Sequence, residues 1–193
     1  LEEMRETGNI DRRRLYFWDQ LLVKNGNIIT QGRGEFINYL NNVQCTIYNV
    51  QFEVEYDAST ISAERLAKYA NEEVAAGVTL VGPHRDDIKF KVQSSKFKVG
   101  DVRDLAIYGS RGEQRLAILW LKLGEMAFIK EKTGGSPVLL LDDIFSELDV
   151  DHRKLVFDLI GGQQTIITTA DLEMVEKEWL EGVKLLHLEG VKL

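Results

Sequence analysis

The sequence has little cysteine and no long apolar run. Its single cysteine, Cys45, cannot form an internal disulfide, which is typical of a protein from a reducing cytoplasm. No apolar run approaches the length of a membrane span, and no charged-then-apolar leader is present. The sequence therefore predicts a globular, cytoplasmic protein with neither a transmembrane helix nor a membrane partner.

A phosphate-binding loop and a natural start are also missing. The sequence contains no Gly-Lys dipeptide, which excludes the GxxxxGK[ST] loop that cradles nucleotide phosphates. The first residue is Leu1 and the first methionine is Met4. We therefore expect the chain to be the distal part of a longer protein.

Two segments between residues 11 and 40 are predicted to be helical. Apolar residues at helical spacing predict one helix over residues 11–25 and a second over residues 28–40. Asn25-Gly26 is a typical stop signal between them. Two consecutive helices joined by a short turn predict an antiparallel helical hairpin.

A strand and a returning helix follow the predicted hairpin. The alternating segment Thr46–Tyr56 predicts a half-buried strand, and a helix over residues 62–76 is expected to stop at Gly77. We predict a domain boundary there. Residues 1–77 would form a helical arm subdomain, and residues 78–193 would form a second domain.

Beyond residue 77, short strands alternate with helices, which is typical of an α/β layer. The predicted elements are a β-hairpin at Lys89–Val99, helices at Arg111–Lys132, Val150–Ile160 and Leu172–Leu180, and strands at Val138–Leu141 and Thr165–Thr168.

Two aspartates follow the strand Val138–Leu141. That strand has no alternation, so we expect it to be buried on both faces, as in a parallel sheet. Asp142 and Asp143 (the acid pair) would then lie at the sheet edge where open α/β sheets bind ligands. The first can hold a Mg²⁺ that bridges nucleotide phosphates, and the second can orient an attacking water. The alternative is that both acids cap the next helix.

The residues after the acid pair favour the first interpretation. Ser146, Glu147, Leu148 and Asp149 (the SELD turn) precede a helix for which Asp149 is a plausible N-cap. Strand, acid pair, SELD turn and helix together resemble the Walker B motif and D-loop of the ABC-type ATPases.

Tyr108–Arg115 (the signature segment) opens a long apolar helix. Ser110 and Glu113 have the spacing of a capping box. The same helix N-terminus offers backbone N–H groups to a phosphate, and Gly112 permits a close approach. The segment resembles the ABC signature motif, so Ser110, Arg111, Gly112, Glu113 and Gln114 are predicted to meet the nucleotide of the opposite subunit. Capping and phosphate binding are compatible.

The strand Thr165–Thr168 ends near two threonines. In the ABC pattern the residue after this strand is a switch, and Thr168 or Thr169 stands in that place. Hydroxyls that merely satisfy a strand end are the alternative interpretation.

The GPHRDD loop (Gly82–Asp87) begins with a Gly-Pro turn. Arg85 beside Asp86 and Asp87 predicts a local ion-pair network in a loop that braces the sheet. The alternative is that His84 or Arg85 contacts nucleotide or DNA.

Four lysines of the predicted hairpin, Lys89, Lys91, Lys96 and Lys98, form a basic stretch without an intervening acid. The net charge of −7 argues against nucleic-acid binding by the whole surface, but these lysines can contact DNA phosphates. The favoured interpretation is a solvated sheet face whose lysines protect an edge.

The chain resembles the RecF family of bacterial recombination mediators. The early segment Phe17–Gln20 fits the arm subdomain of that family, so the resemblance spans nearly the whole chain. Arg111 and Glu113 depart from the family, which more often has glutamines there. The other matching segments, in chain order, are Gly77–Asp87, Tyr108–Arg115, Pro137–Asp149 and Gln164–Asp171.

This resemblance implies an α/β fold: an ABC-type ATPase lobe, P-loop NTPase-like with a mostly parallel sheet, preceded by a helical arm. It implies ATP and Mg²⁺ as cofactors of the complete protein, with neither held tightly by this part. It also implies an ATP-bound homodimer, binding to single-strand/double-strand DNA junctions, and the partners RecR and RecO in a bacterial cytoplasm.

Two rival interpretations remain open. An SMC-like or break-repair ATPase would insert a long coiled coil where this chain has a short arm. A non-catalytic module would bind only DNA or a partner, and the reading frame upstream separates it from the ATPase.

Overall fold

The computed structural model describes residues 2–7, 12–43, 50–94, 102–160, 163–172 and 175–188. Its helices are α1 (Glu2–Thr7), α2 (Arg12–Asn42), α3 (Ala63–Ala76), α4 (Leu105–Tyr108), α5 (Arg111–Thr133), α6 (Ile144–Glu147) and α7 (Val150–Ile160). Its strands are β1 (Val50–Asp57), β2 (Asp87–Ser94), β3 (Arg103–Asp104), β4 (Leu139–Asp142) and β5 (Thr165–Thr168). Within this part of the chain, no helix combines the length and the apolar character that crossing a bilayer requires.

The predicted helical hairpin is wrong, because α2 runs without interruption from Arg12 to Asn42. Gly26 is buried in the middle of this helix. A Cβ at Gly26 would lie 2.6 Å from Ile61 Cγ2 and 3.3 Å from Pro83 Cδ. Gly26 therefore allows close packing against distant residues, and the local Asn-Gly stop signal is overridden by that contact.

A three-stranded antiparallel sheet in the order β1-β2-β3 lies beside α2 in the chain's first unit. β1 pairs with β2 over its whole length, from Val50 opposite Ser94 to Asp57 opposite Asp87. The predicted strand is thus confirmed from Val50 onward. Phe52 is buried on one face and packs against Trp120 of α5, with ring centroids 5.9 Å apart.

The predicted hairpin Lys89–Val99 is only partly described. Its first arm is confirmed as part of β2, whereas residues 95–101 lie outside the described part of the chain. The strand that pairs with β2 on its other side is the short β3, with Lys91 opposite Asp104 and Val92 opposite Arg103.

Local capping signals fix both ends of α3, as predicted. The Ser62 side chain accepts a hydrogen bond from the Arg65 N–H at 3.2 Å. Gly77 ends the helix with φ 73°, and its N–H bonds to the carbonyls of Glu73 and Val74. A glycine is favoured there because the left-handed conformation is strained for other residues.

The chain forms two compact units, Leu1–Gly124 and Glu125–Leu193, and the division falls within α5. The predicted boundary at Gly77 lies inside the first unit, where β1 and β2 pair across it. The division into a helical arm and a second domain stays a prediction about the complete protein.

The second unit contains a two-stranded parallel sheet of β4 and β5. Its core includes the buried side chains of Phe145 and Val156. β4 was expected to be buried on both faces, and this is wrong for the chain as described. Leu140 is 69% exposed and its neighbour Ile166 on β5 is 53% exposed, because no described element covers that face of the two-stranded sheet.

The predicted final helix Leu172–Leu180 is also wrong over its described residues. Glu176 has an extended backbone, and only a single 3₁₀ turn follows it, at Lys177–Leu180. That turn directs Trp179 onto Phe157 of α7, with stacked rings 4.9 Å apart. Packing of one large aromatic therefore replaces the repeated apolar contacts of a helix.

Candidate functional site

The acid pair lies where β4 ends. Asp142 is the last residue of the strand and Asp143 follows it, and both side chains are exposed. Asp143 has φ 47° and ψ 30°, the only left-handed backbone among the described residues other than glycine. Aspartate is one of the few residues with a Cβ that adopts this conformation routinely.

Thr168 on β5 holds the acid pair from the neighbouring strand. Parallel pairing places Thr168 directly beside Asp142. The Thr168 hydroxyl donates a hydrogen bond to Asp142 Oδ1. The Asp143 N–H donates to both the Thr168 carbonyl, at 3.1 Å, and its hydroxyl oxygen, at 3.2 Å.

Thr169, the other candidate for the switch, is engaged elsewhere. Its hydroxyl donates to the Asp171 carbonyl at 3.0 Å and accepts from the Asp171 N–H at 3.2 Å. Of the two threonines, Thr168 is the one that the structure brings to the acid pair.

The SELD turn holds Asp143 from the other side. The Ser146 hydroxyl lies 2.9 Å from both Asp143 Oδ2 and the Asp143 carbonyl oxygen, and it donates to either. The Asp143 side chain makes no capping bond to the backbone of α6. The alternative that the acids serve as helix caps is therefore not realised at Asp143.

The rest of the SELD turn leads into α7. Leu148 is buried, and its carbonyl accepts a hydrogen bond from Arg153 Nε at 2.8 Å. Asp149 directly precedes α7, and its carbonyl accepts the Arg153 N–H at 2.9 Å, as expected at an N-cap. The side chain of Glu147 lies outside the described set.

The side chains at this edge fit Mg²⁺ in chemistry but do not form a complete site. Two carboxylates and a hydroxyl provide oxygen donors only, which Mg²⁺ prefers. Among the described residues, no group of three or more His, Cys, Asp or Glu side chains is arranged to hold a metal. A Mg²⁺ here would need further oxygens from water and phosphate, which is its usual mode of binding.

The signature segment begins α5 with the predicted capping box. The N–H and hydroxyl of Ser110 each donate to Glu113 Oε2 at 2.8 Å, and the Glu113 N–H donates to Ser110 Oγ at 3.3 Å. Glu113 is buried, whereas Arg111 and Gln114 are exposed and Gly112 is half-buried. The capping interpretation is confirmed, and the phosphate interpretation stays a prediction.

Asp86 anchors the GPHRDD loop. Its side chain is only 3% exposed, and it accepts hydrogen bonds from the Tyr56 hydroxyl, from Arg33 Nη1 at 2.7 Å and from the Ser59 N–H at 2.8 Å. Arg33 Nη1 also donates to the Pro83 carbonyl at 2.6 Å. α2 and β1 therefore fix this loop through one buried carboxylate.

The predicted ion pair between Arg85 and its neighbouring aspartates is wrong. Arg33, more than fifty residues earlier, pairs with Asp86 instead. Arg85 is exposed and makes no ion pair within the described residues, and His84 is exposed with Nε2 2.8 Å from the Thr79 carbonyl oxygen. The loop is instead held through Arg33 and Tyr56, which the sequence did not single out.

The Asp86 interactions predict a pH dependence of stability. Burial acts to raise the Asp86 pKa, but hydrogen bonds from Tyr56, Arg33 and the Ser59 N–H, with the charge of Arg33, lower it below the ordinary 3.8. A carboxyl with a lowered folded-state pKa stabilises the fold above its unfolded pKa, and this stability is lost as pH falls through the folded value. We expect the urea concentration at the unfolding midpoint to decrease as the pH is lowered below about 4. In Asp86→Asn this decrease should be less steep. Equal slopes would contradict this.

Half of the basic stretch lies opposite acids. β1 places Glu55 across from Lys89 and Glu53 across from Lys91, and Lys91 Nζ lies 3.3 Å from Glu55 Oε2. Lys96 and Lys98 lie outside the described residues. The described lysines thus match the favoured interpretation of a solvated sheet face, because alternating charges on neighbouring strands offset each other.

Comparisons with known proteins agree on one family. No protein-family model matches the chain. The protein named DNA replication and repair protein RecF from Lachnoclostridium phytofermentans is 37% identical over 168 residues, which cover 82% of this chain and 44% of that protein. The protein of the same name from Chloroflexus aurantiacus is 35% identical and covers 97% and 51%. The chain belongs to the RecF family. It spans about half the length of the curated relatives it matches.

Solved structures of RecF have the same fold. One, described as the recombination mediator protein RecF with ATPrS in the RecFOR pathway, superposes with a TM-score of 0.66 at 31% identity, over 89% of this chain and 48% of that one. The structure described as RecF with ATP in the same pathway gives 0.60 at 31% identity, over 83% and 47%. The RecF resemblance and the α/β fold of an ABC-type ATPase lobe are thus confirmed.

Sequence reasoning missed two residues of this RecF-family chain, Arg33 and Tyr56. Arg33 lies in a segment predicted as helix and Tyr56 in the predicted strand, and both side chains bond to Asp86. Neither residue has a signal in the sequence beyond the general rule that a buried carboxylate needs a partner.

Proposed function

We propose that this chain carries half of the nucleotide site of a RecF-type, DNA-binding ATPase of replication and repair. The observation that supports it most is the acid pair at the end of β4, held by Thr168 from the adjacent parallel strand. Oxygen ligands at the carboxyl end of parallel strands are suited to a nucleotide-bound metal. The solved relatives are described as RecF with ATP and with ATPrS.

Asp142 and Asp143 have different roles in this proposal. Asp142, beside Thr168, would hold Mg²⁺, which when bound neutralises developing charge on the phosphates. Asp143 would orient the attacking water, since a positioned carboxylate within hydrogen-bond reach accepts a proton from it.

The signature segment and Asp149 would act across a homodimer. Ser110 and Gly112 are proposed to meet the γ-phosphate held by the second copy, at the positive end of the 23-residue helix α5. Asp149 would connect the two nucleotide sites of the dimer. Glu113 holds both the N–H and the hydroxyl of Ser110 in capping bonds, so we assign phosphate contact first to the backbone N–H of Gly112.

DNA is proposed to contact the first unit. Residues 1–124 contain 17 Lys and Arg against 17 Asp and Glu, whereas residues 125–193 contain 7 against 14, which accounts for the whole net charge of −7. A phosphate backbone would be repelled by the second unit. Arg85 and His84, exposed on an anchored loop, are the contacts we favour. Binding at single-strand/double-strand junctions, with RecR and RecO as partners, completes the proposal, since the solved relatives belong to the RecFOR pathway.

The test uses the complete gene product that contains this sequence, measured by phosphate release and by light scattering with and without ATP. We expect hydrolysis, and a dimer that forms only with ATP. The 193-residue chain alone should do neither, because it has no GxxxxGK[ST] loop.

A non-catalytic module is the competing function. It would be favoured by a complete protein that binds DNA yet neither hydrolyses ATP nor dimerises with it. That result would overturn the proposed ATPase.

A further inference from the structure

Two hydroxyl groups hold the acid pair, one from each side. Thr168 donates to Asp142 Oδ1, and Ser146 donates to Asp143 Oδ2 or to the Asp143 carbonyl. The two hydroxyls come from different elements, since Thr168 ends β5 and Ser146 lies in α6. Each carboxylate is therefore oriented by a residue that carries no charge of its own.

Each carboxylate keeps one oxygen outside these bonds. Asp142 Oδ2 and Asp143 Oδ1 make no hydrogen bond within the described part of the chain, and both side chains are exposed. A carboxylate whose one oxygen is fixed by a donor presents the other in a defined direction. The acid pair thus offers two oriented, accessible oxygens.

Backbone geometry adds a further constraint at Asp143. Asp143 lies in the left-handed region, where the direction of its side chain differs from that of a residue continuing the strand. Its N–H is fixed by Thr168, and its carboxylate is directed by Ser146. An exposed aspartate without such partners would sample several rotamers.

We propose that Thr168 and Ser146 are positioning residues with separate tasks: Thr168 orients Asp142 toward the metal–nucleotide complex, and Ser146 orients Asp143 toward the attacking water. This inference rests on the proposed ATPase function. Neither residue contacts the reacting atoms. When the hydrogen-bond partner of a metal-binding carboxylate is removed, the metal affinity of the site typically falls about 10- to 100-fold.

The Thr168 test measures Mg²⁺ dependence as well as turnover in the complete gene product. In Thr168→Val, the Mg²⁺ concentration for half-maximal binding of a fluorescent, non-hydrolysable ATP analogue should rise about tenfold. Thr168→Ser keeps the hydroxyl and should restore the wild-type value. Thr165→Val, which removes a hydroxyl from the same strand that bonds only to the Gln163 carbonyl, is the matched control and should change nothing.

The Ser146 test separates turnover from binding. In Ser146→Ala, kcat should fall about 10- to 100-fold, because a small misplacement of the base is costly, while KM for ATP and the Mg²⁺ requirement stay unchanged. Ser146→Thr should recover most of kcat. The exposed Ser136→Ala serves as control.

The outcomes distinguish the two proposals. If the wild-type protein neither binds nor hydrolyses ATP, the proposed function fails and this inference with it. If the wild type is active and Thr168→Val and Ser146→Ala match their controls, only the positioning roles fail. Equal losses in Thr168→Val and Thr168→Ser would also overturn the role of the Thr168 hydroxyl. The melting temperature of each variant shows whether a loss comes from misfolding instead.

Discussion

Replacement of Asp143 by asparagine is expected to lower ATP turnover of the complete RecF-type protein about 10²- to 10⁴-fold, the usual contribution of a general base. Asparagine has the same shape, tolerates the left-handed backbone and retains an oxygen that can accept from Ser146. It lacks the negative charge that draws a proton from water. ATP binding should therefore persist, and phosphate release under single-turnover conditions measures the loss.

Comparison with Asp142→Asn makes this result specific. That change should weaken the Mg²⁺-dependent binding of ATP itself, because Asp142 is assigned to the metal. Asp57→Asn, at the exposed end of β1, is the control for removal of one carboxylate charge. Unchanged hydrolysis in Asp143→Asn would show that another group activates the water.

Removal of the Asp86 carboxylate is expected to destabilise the first unit by about 3 kcal/mol. Breaking a buried ion pair costs about 3–5 kcal/mol, and the lower end applies because Arg33 is 43% exposed and can return to water. Asp86→Ala leaves the Tyr56 hydroxyl and the Ser59 N–H without their acceptor. Urea unfolding of the purified chain measures the difference.

Asp87→Ala is the matched control in the same loop. Asp87 is exposed, and its carboxylate bonds to the adjacent Ile88 N–H, so its loss should change stability by less than about 0.5 kcal/mol. Tyr56→Phe removes a single neutral donor and should cost about 1 kcal/mol. Similar stabilities for the two alanine variants would show that the Asp86 network contributes little.

Two glycines show which parts of the fold were predictable. Gly77 stops α3 through its own backbone conformation, which is a local property that the glycine itself predicts. Gly26 follows an asparagine, which is also a typical stop signal, yet it lies within α2 because Ile61 and Pro83 pack against it. The second outcome depends on residues more than thirty positions away, which a local pattern does not contain.

The candidate site shows the same division. The capping box of Ser110 and Glu113 spans four residues, and it formed as predicted. The order of motifs indicated that Thr168 follows the acid pair in the parallel sheet. Its hydrogen bond to Asp142 depends on strand register, and Arg33 reaches Asp86 from another element. Side-chain contacts that depend on strand register or on packing between distant elements could therefore not be predicted from the sequence.

The left-handed backbone at Asp143 also limits which acid can stand there. Asparagine, aspartate and glycine adopt that conformation readily, whereas other residues pay about 1–2 kcal/mol. A glutamate at this position would carry that strain and would place its carboxylate one methylene farther out, beyond the Ser146 hydroxyl that now holds it. The left-handed backbone at this position therefore favours aspartate over glutamate, independently of how well either acid would activate water.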